Sequence, residues 1–213
     1  MSTSFGKGAR SVGLTATAFM ALAFGASAAE DAASLGKAVR RDVADGRGNR
    51  FAVTVTPPAE RAVDRRVFDS IEVSAGAADA SAEAEADAGG ELVDVSGYVV
   101  EVEPLSLAAT CTSQVTVKIK PVNLAGKKFF NVTSPTPPIF VAVTAFPKSG
   151  NVDALVLDGS TPCKTSTKPA GQLDNASCVS STCTGSSILI GQIKNPASAA
   201  ATYVGAINMV FSN

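Results

Sequence analysis

The chain of 213 residues contains no histidine and no tryptophan, and its two tyrosines, Tyr98 and Tyr203, both fall in strand-like stretches. Without histidine, a Ser-His-Asp or Cys-His site is impossible and the commonest general base is missing. Without tryptophan there is little to build an exposed aromatic platform for a sugar, and Phe129, Phe130, Phe140 and Phe146 read more simply as core. Acids are scarce as well: after residue 103 the only carboxylates are Asp153, Asp158 and Asp174. Glu101 and Glu103 could be drawn as a glycosidase pair, but residues two apart on a strand share a face and usually just meet solvent. Clustered acids for a calcium loop occur only over residues 79–94, in a stretch that reads as a solvated linker. No P-loop or Rossmann glycine pattern is present. The expectation is therefore a protein that is not an enzyme, with no cofactor and no metal.

The N-terminus has the grammar of a secretory signal. Lys7 and Arg10 precede an apolar run from Val12 to Ala26, followed by small residues at Ala26, Ser27, Ala28 and Ala29. The run is short of the roughly 20 residues a membrane span needs. Cleavage after residue 29 would leave 16 basic and 19 acidic residues, a net charge of −3. That balance argues against a nucleic-acid partner, which asks for a basic face. Four cysteines, Cys111, Cys163, Cys178 and Cys183, lie behind the signal with no C-x-x-C among them. An even count in an exported chain points to disulfides rather than zinc. Cys178 with Cys183 and Cys111 with Cys163 is one of three possible pairings.

Charge is segregated along the remainder. Residues 30–73 hold eight acidic and eight basic residues, 74–104 hold eight acidic and no basic ones, and 105–213 hold eight lysines against three aspartates. Residues 30–49 read as a leader, partly helical or disordered, with Leu35, Val39 and Val43 spaced four apart. The acidic, alanine-rich insertion over 74–91 has no side chain able to anchor a core and reads as a mobile loop. Arg40-Arg41 and Arg65-Arg66 are dibasic pairs, and Asn131-Val-Thr and Asn175-Ala-Ser match glycosylation sequons.

Strand patterns dominate residues 50–213. Phe51, Val53 and Val55 alternate with Ala52, Thr54 and Thr56 before Pro57-Pro58 ends the run. A helical turn over 59–69 and a strand from Phe68 to Val73 follow. Further strands are expected near 93–102, broken about Gly97, then over Gln114–Pro121, Lys128–Val132, Pro138–Phe146, Val152–Leu157 and Ser187–Ile193. Residues 159–186 read as a long loop pinned by disulfide. The chain closes on Tyr203, Gly205, Ile207, Met209 and Phe211, one face of a strand whose other face is half apolar. Such a strand belongs between neighbours. Strands at this spacing indicate an all-β sandwich or barrel.

Three stretches together resemble one family. The run Tyr203-x-Gly205-x-Ile207-x-Met209-x-Phe211 looks like the last strand of alternate-chaperone (class 5) fimbrial subunits, the colonisation-factor and cable-pilus kind. Ile188-Leu189-Ile190 followed by Lys194-Asn195-Pro196 and small residues is similar to their penultimate strand and link. Val115-Thr116-Val117-Lys118-Ile119 and then Pro138-Ile139-Phe140-Val141-Ala142-Val143 resemble their central pair. The likeness covers patches within residues 113–213. It implies an immunoglobulin-like, pilin-like β-sandwich missing one strand. The gap is filled first by a periplasmic chaperone, working with an usher, and then by the N-terminal strand of the next subunit. Phe51, Val53 and Val55 are the candidate donor plugs, worth roughly 5–9 kcal/mol at a junction before ordering costs. The same strand can equally pair within its own sandwich, which would suit a secreted, monomeric binding module for carbohydrate or another surface ligand. The expectation is a cell-surface structural or adhesive protein, with homopolymerisation by strand exchange as its mode of assembly.

Overall fold

The architecture follows from the C-terminal strand, β12 (Ala201–Ser212), which is buried along almost its whole length. In the computed structural model, which describes residues 35–44, 48–75, 92–107, 112–183 and 188–212, it runs antiparallel to two neighbours at once. One is β5 (Thr112–Leu124), where Ile207 faces Val117. The other is β7 (Phe140–Ser149), where Ile207 faces Val143. Outside these lie β10 (Asp174–Val179), beside β7, and β3 (Ile71–Ala75), beside β5, giving five strands in the order β10-β7-β12-β5-β3. All of the described elements belong to one unit, Asp31–Asn213.

The second sheet has seven strands. In chain order they are β1 (Val39–Ala44), β2 (Arg50–Thr56), β4 (Val99–Ser106), β6 (Phe129–Thr133), β8 (Asp153–Asp158), β9 (Thr161–Ser166) and β11 (Leu189–Lys194). Their order across the sheet is β1-β2-β4-β6-β11-β8-β9, and β4 with β6 is the parallel pair. The sheets pack face to face with Phe130, Val156, Ile193, Tyr203 and Phe211 fully buried between them, as an all-β sandwich requires. They approach closely at two glycines. A Cβ on Gly191 of β11 would stand 2.5 Å from Ile207 Cγ2, and one on Gly205 of β12 would stand 3.0 Å from Ile193 Cδ1 of the other sheet. The hydroxyl of Tyr203 is buried without a hydrogen-bond partner, and burial pushes that phenol far above its usual range.

Several elements differ from the sequence reading. The leader segment is a strand, β1, rather than a helix: a spacing of four is also a multiple of two, so Val39 and Val43 fit either period. The strand expected from Phe68 begins at Ile71, because Asp64 caps a short helix, α1 (Arg65–Ser70), that takes up Phe68. β5 does not stop at Pro121. Its register against β12 slips at Lys120–Pro121, so the buried side chains change from Val115, Val117 and Ile119 to Val122 and Leu124. Proline cannot donate to the ladder, and a bulge accommodates it. The supposed loop over 159–186 contains β9 and β10. In β10 the alternation is real but carried by small groups, Asp174, Ala176 and Cys178 inward. Of the four phenylalanines read as core, only Phe130 is fully buried, while Phe129 is exposed and Phe140 and Phe146 are half-buried. The signal segment, most of the acidic insertion (76–91) and Cys111 lie outside the described residues.

Candidate assembly edge

The flank formed by β1, β2 and β4 contains the segment with the clearest strand signature. β2 is β-branched or aromatic at Phe51, Val53, Thr54, Val55 and Thr56, which favours an extended backbone. Pro57 and Pro58 then stop the ladder. Phe51, Val53 and Val55 enter the core of the chain's own sandwich. Their antiparallel partners on β4 are Pro104, Val102 and Val100. The Phe51 ring meets Phe211 of the opposite sheet with centroids 6.0 Å apart. Just before the strand, the Ser113 hydroxyl donates to Asn49 Oδ1 at 2.9 Å, tying the entry of β2 to β5.

On its other side β2 carries β1, paired over six positions from Val39↔Val55 to Ala44↔Arg50. β1 is exposed at every position except the half-buried Val43. It is fastened by charges: Arg40 lies 3.6 Å from Glu103 and Asp42 lies 3.6 Å from Arg50. These side chains are about half exposed, so each pair contributes at most about 1 kcal/mol. The Arg41 guanidinium sits 3.8 Å over the Phe68 ring. Charge along an edge strand also discourages indiscriminate pairing with other sheets. β1 was invisible to sequence reasoning because its apolar positions are few and its charges dominate.

A cleft of about 400 Å³ opens beside this flank, lined by Leu35, Arg61, Asp64, Val67, Asp94 and Tyr98 among others. Four of its ionic groups form two pairs. Arg61 Nη2 donates to Asp94 Oδ2 at 2.8 Å, and Arg66 is 2.7 Å from Asp64. Burial pushes the Asp94 carboxyl upward, but the hydroxyl and backbone N–H of Ser96, with Arg61, outweigh it and hold the group below its ordinary range. The Tyr98 hydroxyl donates to the Ala62 carbonyl at 3.0 Å, so its ring is a wall of the cleft and not a platform.

The cysteines gather at the opposite flank. Cys163 on β9, Cys178 on β10 and Cys183 just beyond it have sulfurs within 4.8 Å of one another, the one group of three such ligand side chains found among the described residues. Cys183 lies within disulfide-bonding distance of both others. The expected Cys178–Cys183 pair is thus within reach. Cys111, the partner expected for Cys163, lies outside the described residues, and Cys163 faces Cys183 as well. Twenty residues of separation hid this, since β9 and β10 meet only when the two sheets pack. The closing-strand residues Tyr203, Gly205, Ile207, Met209 and Phe211 line the middle of the five-stranded sheet, far in the topology from either flank's edge strand.

No family model matches this chain, and no curated protein matches it. Among the described residues, no helix is long and apolar enough to cross a membrane.

Proposed function

We propose that the protein is an exported structural or adhesive subunit of the cell surface, of fimbrial type, which polymerises by exchanging β2 between copies. The observation that carries this reading is the position of β2. It is the second strand of the described chain, it completes the edge of β4, and its three apolar side chains fill the core at that edge. Main-chain hydrogen bonds and side-chain plugs are the same whether β2 reaches β4 of its own chain or of a neighbour. Exchange in trans then needs only a change at the segment after Thr56, together with the entropy of association. The charged β1 would travel with β2 as a hairpin and cover its outer side.

A second reading has its own support. β2 is hydrogen-bonded on both sides within one chain, which suits a self-contained sandwich acting as a binding module.

Mixing two variants separates them. Val53→Cys and Val102→Cys place one new thiol on each side of the β2–β4 pairing. Unfolded together, refolded at high concentration and oxidised, the two chains should give a heterodimer linked between positions 53 and 102, identified by peptide mapping. Monomers alone at every concentration would end the strand-exchange proposal and favour the module.

A further inference from the structure

β1 ends the seven-stranded sheet, and among the described residues its only ladder is with β2. Its far side therefore offers a row of backbone N–H and C=O groups to a further strand. Charge on such an edge usually repels whatever approaches, and β1 carries Arg40, Arg41 and Asp42. Their order changes the outcome. Arg40 and Asp42 have opposite signs and stand two apart, so they share one face of the strand. Val39 and Val43 share the other face, with Val39 exposed.

Two copies of one edge strand that pair antiparallel do so about a two-fold axis, and residues brought opposite each other must lie on the same face. Each register is then defined by the residue that sits on the axis and meets its own copy. With Arg41 on the axis, Arg40 faces Asp42 of the second copy, Asp42 faces its Arg40, and Val39 faces its Val43. With Arg40 or Asp42 on the axis, like charges meet there and no acid–base pair forms within the strand. We propose that β1 is a self-complementary docking edge whose partner is β1 of a second copy, paired antiparallel about Arg41. The seven-stranded sheets of the two copies then run on as one.

The charges are free to take part. Arg40 and Asp42 are about half exposed, and their ion pairs within the chain are long, 3.8 Å to each other and 3.6 Å to Glu103 and Arg50. Each keeps room for a partner across the edge. Arg41 meets its own copy on the axis, but its guanidinium is engaged 3.8 Å over the Phe68 ring of its own chain. A six-residue edge buries little area, so the contact is weak and depends on concentration. It is also separate from strand exchange: it forms between folded chains and leaves each β2 on its own β4.

Charge reversal in the purified full chain tests the register, read by sedimentation velocity over a concentration series without any unfolding step. The parent should dimerise as concentration rises. Arg40→Asp sets acid against acid across the edge, and Asp42→Arg sets base against base. Each variant alone should dimerise about tenfold more weakly or worse, since two cross-strand pairs turn from attraction to repulsion. Mixed, one chain is acidic at both positions and the other basic at both, so a heterodimer at least as strong as the parent dimer should appear. Any disturbance of a chain's own ion pairs persists in the mixture, so recovery there reports the contact between chains. Circular dichroism matching the parent shows that each variant is folded. A parent that stays monomeric throughout overturns the proposal, and so does a mixture that fails to recover. A parent oligomer that survives both reversals unchanged belongs to β2 exchange and overturns the β1 contact alone.

Discussion

The two flanks of the sandwich are closed by different means. At one, β9 and β10 meet around three sulfurs; at the other, the β1–β2 hairpin meets β3 and the start of β5 through apolar side chains, one buried hydrogen bond and surface charges. A covalent link restrains the unfolded chain and needs little burial to hold an edge. A non-covalent edge must be held by what its side chains bury. Neither edge strand, β9 or β1, has a buried residue, but β1 is backed by β2, which buries four. The difference also separates how each flank opens: one by unpacking side chains, the other only with reduction of its cross-link.

Breaking the packed flank should have the largest effect. Phe51→Ala removes a fully buried ring opposite Phe211 and should lower stability by about 3–5 kcal/mol, read from urea unfolding. Reducing the sulfur flank should cost less. A cross-link spanning 20 residues is worth roughly 3 kcal/mol and one spanning five roughly 2 on the chain-entropy estimate. The two perturbations share no contact, so in Phe51→Ala protein the effect of reductant should add to that of the substitution within about 0.5 kcal/mol. A large departure from additivity would mean that the flanks are one cooperative structure and not two independent closures.

Acid should sharpen the contrast, because a carboxyl at each flank shifts in the opposite direction. Asp94, held below its ordinary value of 3.8, carries fewer protons folded than unfolded, so its contribution is complete above that value and is lost as pH falls through the folded pKa. Asp153 on β8 is pushed above 3.8, by burial first and by the charge of Asp174 second. It carries more protons folded than unfolded in the window above 3.8, so stability declines as pH rises through its folded pKa and is relieved by acid. Urea midpoints across the acid range should show Asp94→Asn less stable than the parent at neutral pH and converging with it in acid. Asp153→Asn should be as stable as the parent or more so at neutral pH. The smallest effect belongs to the surface charges of β1: Arg40→Ala should leave the urea midpoint within about 0.5 kcal/mol of the parent.

Much of the sandwich was legible where apolar residues alternate strongly. β2, β5 through Ile119, β7 and β12 announce themselves by period-two alternation of apolar side chains, and β8 and β11 by short apolar runs. β1, β9 and β10 do not. Their inward positions are filled by alanine, cysteine, aspartate or single valines, and edge strands need only one buried face and one hydrogen-bonded side. The candidate plugs Phe51, Val53 and Val55 were readable as buried side chains. Which β4 edge they complete was not, because cis and trans pairing impose the same alternation on the sequence.

What the amino-acid sequence alone determined is the local content: extended strands from alternation, a stop at Pro57-Pro58, and a chemistry without histidine. What only the tertiary structure decided is which of those pieces meet. Phe51 reaches Phe211 across the sandwich, β4 lies parallel to β6, and Cys163 arrives beside Cys183. The physical reason is that backbone preference and side-chain period act over a few residues. The choice of partner depends on burying whole faces at once, which no short stretch of chain can specify by itself.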